Sequence, residues 1–387
     1  MSNQTYSWLP DRHLGVAATL AHTDETIAQI AEILYSYQAQ SNGILQLDEV
    51  PGPTHSQTVV TGIAPIPRKV PLLVADALVT LRNAIEHTLF TEIQHCDGEL
   101  DEKAARTVEM PAALTYDAFQ QWVKARAKNG PPSLRRGSHI LRRIEGLQPF
   151  HRLRDPQNHP LALLALHTNH SKHRAPAITA VRLGAIHRED RTPPSPANVE
   201  YRPEVPLQVG DVIAETPIGR RVPVALFPTI GINRPRTDCW PVLIKELDEL
   251  STWVRVQAVP RLVTGTESSA PALPHCYTIN VGHNDERDAL AAGSTVSASQ
   301  RHNDRLSAET ARGGLCETLS MMDHAPDAEQ IAVWLQSLSD QEVLAWMRRL
   351  RATLAYEPET MLSNFAILEK MRDEARLHAG LEPGLPS

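Results

Sequence analysis

Aromatic residues make up only 5% of the chain, too few for the aromatic-rich core of a β-sandwich. Cysteine is sparse as well. Cys96, Cys239, Cys276 and Cys316 lie far apart, with none of the short C-x-x-C spacings that a structural zinc site requires, and they read as reduced bystanders. No apolar run approaches the length that spans a bilayer. Residues 1–15 are polar, with Asp11, Arg12 and His13 where a secretory leader needs an apolar stretch. The expectation is a cytoplasmic protein with no membrane partner. The sequence also lacks a P-loop, a GxGxxG turn and internal repeats, which sets aside the phosphate-loop and solenoid classes. What is present is an ordinary hydrophobic fraction, 42% of 387 residues, enough for two domains or for one with an appendage. Its 30 prolines suit helices joined by proline-punctuated loops.

The net charge of −7 argues against a polyanionic partner only on average. Between Lys124 and Arg188 stand thirteen Lys/Arg against Glu145 and Asp155, a local +11 that leaves −18 elsewhere. Seven of the 17 histidines fall in the same stretch. Such a block can gather a phosphate backbone onto one surface. It can equally be a solvated face that pairs with the acidic remainder.

Residues 14–40 carry Ile27, Ile30, Ile33 and Leu34 near helical spacing and stop at Ser41-Asn42-Gly43, predicting a first helix. Residues 44–50 and 57–63 predict a hairpin about Pro51-Gly52-Pro53. Val74, Leu78, Leu81, Ile85 and Leu89 predict a second long helix over 71–94, with Pro71 in its first turn. Shorter helices are expected over 116–127, 138–145 and 161–174, the last capped by Asn158 and ended by Pro176. Residues 178–186, 199–201, 211–216 and 222–227 predict a small antiparallel sheet inserted at about 176–232. A helix over 241–263 has Leu243, Leu247, Leu250, Val254 and Ala258 on its inner stripe. The fold class expected is mainly α with a small antiparallel β insertion. Residues 1–266 form the helical core and 267–307 a linker in which only 277–281 is ordered. Residues 308–387 form an acidic C-terminal helical domain, with Ser339-Asp340-Gln341-Glu342 as a helix start.

The sharpest local pattern is Leu81-Arg82-Asn83-Ala84-Ile85-Glu86-His87, an Arg and a His five positions apart within one helix. His titrates near working pH and can move a proton, while Arg holds its charge and grips phosphate oxygens bidentately. Five residues rotate about 140° around a helix, so Arg82 must reach round to share a site with His87. Ala77, Thr80 and Ala84 form a small-residue stripe in line with His87, along which another helix could approach. The plainer alternative is an Arg82–Glu86 ion pair at i,i+4 beside an incidental His. A second pattern, Asn169-His170-Ser171-Lys172-His173-Arg174, puts Asn169 and His173 on one face at a helix C-terminus, where cations are favoured.

The R-N-x-x-x-H string resembles the signature of HEPN-domain ribonucleases. With Pro160-Leu161, Leu164, the N-x-x-K-H-R motif, the β insertion and the closing helix, residues 14–263 are similar to an uncharacterised actinobacterial family associated with that superfamily. The resemblance implies a HEPN-like core and a homodimer that brings two Arg/His sets to one phosphate. It further implies metal-independent endoribonuclease activity on single-stranded RNA, without cofactor, in a toxin or antiphage defence setting. By the same resemblance Arg82 and His87 are catalytic, Asn83, Asn169, Lys172, His173 and Arg174 bind substrate, and Glu86 is the family's acidic residue before the His. His167, Thr168 and His170 depart from its pattern. The C-terminal domain is left for regulation or for docking a protein partner. Two alternatives stay open: a non-catalytic RNA-binding or complex-forming module of the same fold, and a metal site of His167, His170 and His173 with Asp155 or His159.

Overall fold

Leu78, Leu81, Ile85 and Leu89 have no exposed surface at all, so the helix that carries them is enclosed on its apolar side. In the computed structural model, which describes residues 6–188, 200–219, 222, 224–265, 271–351 and 357–381, the chain is mainly helical with two small antiparallel sheets. It divides into two compact units, residues 1–299 and 300–387.

The first unit opens with α1 (Leu14–Gln38), a hairpin of β1 (Leu45–Pro51) and β2 (His55–Ile63), and α2 (Lys69–Asp97). Gly98 ends α2 at φ +83°, a conformation that costs glycine little. Then come α3 (Glu102–Ala105), α4 (Tyr116–Arg126), α5 (His139–Gly146) and α6 (Pro160–His173). The strands β3 (Thr179–Arg188), β4 (Glu200–Tyr201), β5 (Val212–Pro217) and β6 (Val224–Ile232) lead to α7 (Leu243–Trp253), α8 (Val259–Thr264) and α9 (Glu286–Ala291). Helices α1, α6, α7 and α8 all pack on α2, which is therefore the axis of the core. Trimming one of its buried leucines to alanine costs about 2–5 kcal/mol.

Four local expectations are corrected. The inserted strands do not form one sheet: β5 pairs with β2 in the order β1-β2-β5, while β4-β3-β6 forms the other. Val60 and Ile213 of the first sheet pack with Leu183 and Ile186 of the second, and this shared apolar contact draws β5 to the hairpin. Val199 and Pro223 lie outside the described residues. The helix expected over 241–263 is interrupted by a π turn, Val254–Ala258. Pro260 has no N–H for the carbonyl of Val256, and a wider turn accommodates it. Asn158 is not the cap of α6. His159 is, its Nδ1 accepting the Leu161 N–H at 3.2 Å, while the Asn158 side chain meets Arg234.

The stretch expected as a linker is largely built into the first unit; residues 266–270 lie outside the described ones. Leu273, Leu290 and Ala298 join the core, α9 forms within it, and Cys276 bridges Ser294, so order is not confined to 277–281. Arg255 is the reason. Its buried guanidinium donates to the carbonyls of Pro274 at 2.6 Å, His275 at 3.2 Å and Leu20, tying that segment to α1. Burial pushes the Arg255 pKa down to about 10, a cost that Asp24 among others partly offsets. Asp24 in turn accepts the Ala298 N–H at 2.9 Å.

The second unit is made by the body of α10 (Ala298–Ser320), α11 (Ala328–Ser337), α12 (Asp340–Arg349) and α13 (Pro358–His378) around Leu315, Leu319, Ile331, Leu335, Val343 and Met371. Residues 352–356 and 382–387 of the expected C-terminal domain lie outside the described ones. Ser339 and Glu342 form a reciprocal capping box at the start of α12, as Asp327 and Gln330 do for α11.

A buried carboxylate near the end of α2 ties four segments together. Glu92 accepts from Arg12 at 2.7 and 3.0 Å, from His13 Nε2 at 2.8 Å and from Arg143 at 3.3 Å. Arg143 also donates to the carbonyls of Leu262 and Val263 at the end of α8. Burial by itself raises the Glu92 pKa, but the hydrogen bonds and charges of His13 and Arg12 outweigh it and hold the carboxyl below its ordinary value. A depressed carboxylate contributes stability above the unfolded-state pKa and loses it as pH falls through the folded value. Glu92→Gln is expected to cost about 3 kcal/mol at pH 7 in urea unfolding. The loss should shrink as pH falls through the folded-state value, which lies below the ordinary carboxylate range, because wild-type Glu92 is then protonated too.

Candidate functional site

Helix α2 turns Arg82 and Glu86, one turn apart, toward the segment between α3 and α4. Arg82 Nη2 meets Glu86 Oε1 at 2.6 Å and donates to the Met110 carbonyl, and Glu86 Oε2 accepts the Met110 N–H at 2.8 Å. The i,i+4 ion pair foreseen as the plain alternative is thus present. It is a clamp on residue 110 rather than a surface bridge, with the Arg82 side chain only 13% exposed. Burial raises the Glu86 pKa; Arg82 and the Met110 N–H pull it back, and the charge of Glu109 adds to the rise.

Beside the clamp lies an open cavity of about 460 Å³ between α2, α4 and α6. From α2 it is lined by Arg82 and Glu86, from the 109–113 segment by Glu109 and Met110, from α4 by Trp122, and from α6 by Thr168, Asn169 and Lys172. Arg82, Asn169 and Lys172, singled out separately in sequence, therefore share one cavity. Two donors in its wall, Arg82 Nη1 and Trp122 Nε1, are buried without a hydrogen-bond partner. Both atoms have essentially no accessible surface, and a buried donor left unpaired costs on the order of 1–3 kcal/mol, a cost borne by the wall itself. Glu109 is engaged by Arg126, whose guanidinium also stacks 4.2 Å from the Trp122 ring centroid. One wall carboxylate is thereby neutralised from behind.

The other singled-out residues are elsewhere. His87 is exposed and absent from the cavity lining, as the 140° rotation from Arg82 foreshadows. Asn83 is half-buried and does not line it either. His173 ends α6 and Arg174 follows it, both exposed and off the lining. The face that reaches the cavity is Ala165, Thr168, Asn169 and Lys172, not Asn169 with His173. The small-residue stripe is also partly spent, because Ala77 and Ala84 are sealed in the chain's own core and cannot seat a second helix. Trp122, Glu109 and Thr168 were missed. They are contributed by α4, by a loop and by α6, and no sequence spacing connects them to Arg82.

Several members of the basic block serve the fold. Arg126 pairs with Glu109 and Arg143 with Glu92, while the nearly buried Arg182 pairs with Glu204 at 3.2 Å and donates to the Trp240 carbonyl. His167 is buried 3.6 Å from Glu246, whose carboxylate takes two hydrogen bonds from Arg234. Burial raises the Glu246 pKa, but His167 and Arg234 more than reverse this. His167 is thus committed to a carboxylate inside the core, which weakens a metal site built from it. Among the described residues no group of three or more His, Cys, Asp or Glu could hold a metal ion, and no helix is long and apolar enough to cross a membrane.

No family model matches the chain, and neither a curated protein nor a solved structure matches it.

Arg82→Ala should release residue 110 as well as remove a charge. The expected loss is about 2 kcal/mol in urea unfolding, with faster amide exchange at Met110. Arg82→Lys should restore little of it, since an ammonium cannot copy the fork that meets both Glu86 and the Met110 carbonyl.

Proposed function

We propose that the α2–α6 cavity binds RNA and that the chain acts as a HEPN-like RNA-binding module. One observation carries the reading. Arg82, Asn169 and Lys172 come together from two helices around a nucleotide-sized space. The exposed Lys172 supplies charge for a phosphate at the rim, and the Asn169 amide can both donate and accept at a base or ribose edge. The exposed cations Lys124, Lys128, Arg135 and Arg136 give the same unit basic surface beyond the cavity.

A second reading, metal-independent endoribonuclease activity through a homodimer, is favoured by the exposure of His87 on the same helix. An imidazole sealed in the core could not reach a phosphodiester; an exposed one can meet the strand held by a second copy. In this reading Arg82 stabilises charge and His87 moves the proton of the attacking 2′-hydroxyl.

The two readings separate in one experiment. Full-length protein is mixed with labelled single-stranded RNA in EDTA, and both binding and chain ends are measured. Asn169→Ala/Lys172→Ala should weaken binding at least about tenfold, equivalent to 1.4 kcal/mol, with an unchanged melting temperature; unchanged affinity would sink the cavity as the RNA site. Cleavage leaving 2′,3′-cyclic phosphate ends and disappearing in His87→Ala, with binding retained, establishes the nuclease. Binding with intact RNA establishes the module.

A further inference from the structure

Helix α4 separates two cavities that share no lining residue. Ala118 and Trp122, one turn apart, border the α2–α6 cavity, whereas Asp117, Gln120, Gln121, Val123, Lys124 and Ala127 border another of about 670 Å³. The spacing accounts for the division, because positions 117, 120, 121 and 124 recur every three or four residues and so fall along one side of a helix. The remaining wall of this second cavity is Arg135 and Arg136, from the turn that joins α4 to α5. That turn is pinned. The Ser133 N–H and hydroxyl each donate to the Asp97 carboxylate at 2.8 Å, Leu134 lies in the core, and the Ser138 hydroxyl donates to the Ser133 carbonyl while its oxygen caps α5. Arg136 Nη2 then donates to Gln120 Oε1 at 2.6 Å, which links the two walls.

The lining is unbalanced in charge. Lys124, Arg135 and Arg136 stand around the space against one carboxylate, Asp117. Among the described residues the Lys124 and Arg135 side chains make no hydrogen bond or ion pair, and Arg136 spends a single donor, on Gln120. Arg126, Arg143 and Arg182 of the same basic block differ, since carboxylates and backbone carbonyls take up their guanidiniums. Uncommitted cations around one cavity suit a phosphate, whose oxygens take several charged donors at once. A bare phosphate ion would leave most of the 670 Å³ unfilled; the volume is that of pockets which enclose a whole organic molecule. Val123 and Ala127 supply apolar surface for such a body, and the exposed Gln121 amide can donate or accept at its polar edge.

We infer that the space between α4 and the 131–137 turn binds a phosphate ester with an organic body of nucleotide size, the phosphate held by Lys124, Arg135 and Arg136. The ester is either a free nucleotide or one unit of a single-stranded RNA. This does not depend on the α2–α6 cavity being an RNA site.

The test follows the Arg136 Nε–H and Gln120 side-chain amide resonances in the full chain at pH 7. Adenosine 5′-monophosphate, inorganic phosphate and adenosine are titrated separately, each at the same ionic strength held with chloride. Saturable shifts are expected, at lowest concentration with the monophosphate, next with inorganic phosphate, and not with adenosine. Lys124→Gln and Arg135→Gln should each weaken the monophosphate several-fold, and together at least tenfold. Both side chains are exposed and without partners, so the melting temperature should not move and the loss reads binding alone. Asp117→Asn removes the one like charge and should tighten inorganic phosphate several-fold, a gain that a merely structural role for these residues would not produce. No saturation by either phosphate, an equal response to adenosine, or full retention in Lys124→Gln/Arg135→Gln overturns the site. An oligoadenylate that saturates the same resonances at lower concentration than the monophosphate identifies the ligand as a unit of RNA; the reverse order identifies it as the free nucleotide. Asn169→Ala/Lys172→Ala should leave these responses intact, so that failure at one cavity is not read as failure at the other.

Discussion

A carboxylate cannot be left alone in an apolar interior, and α2 carries two of them on its inward side, Glu86 and Glu92. How each is satisfied determines much of what surrounds that helix. Glu92 draws the N-terminal turn, α5 and the end of α8 to one point through Arg12, His13 and Arg143. Glu86 draws in Arg82 and the backbone of Met110, which positions the 109–113 segment as a wall of the cavity. The two have opposite acid–base character because burial outweighs the offsetting contacts at Glu86, whereas hydrogen bonds from His13 and Arg12 outweigh burial at Glu92. Glu92 has three partners and is held below the ordinary carboxylate range, whereas Glu86 has one and is pushed above it.

Charge is used in two ways in the first unit. Arg143, Arg182, Arg234 and Arg255 are buried or half-buried and spend their donors on carboxylates and backbone carbonyls, so they act as structural bolts. Others stay at the surface around the two ends of α6. At the C-terminal end Lys172 stands beside Glu86 and Glu109 around a cavity; at the N-terminal end Arg152 donates to the Asn158 carbonyl. Counting Lys and Arg along the sequence cannot separate bolts from surface charge, since the distinction depends on which partner each side chain meets.

The sequence itself determined the helical class and the positions of α1, α2, α4, α5 and α6, because these follow from apolar spacing, proline placement and caps that act within one turn. It also marked Arg82, Asn169 and Lys172, though for separate reasons. Only the tertiary structure decided that these three share a cavity, that Trp122 and Glu109 belong with them, and that His87 faces elsewhere. It likewise decided that β5 joins the hairpin, that His159 rather than Asn158 caps α6, and that the polar stretch after α8 is packed down by Arg255. The physical reason is common to all of these. Local backbone preference is written in neighbouring residues, whereas the satisfaction of a buried charge, an unpaired donor or an apolar strand face depends on groups tens to hundreds of positions away that only folding brings within reach.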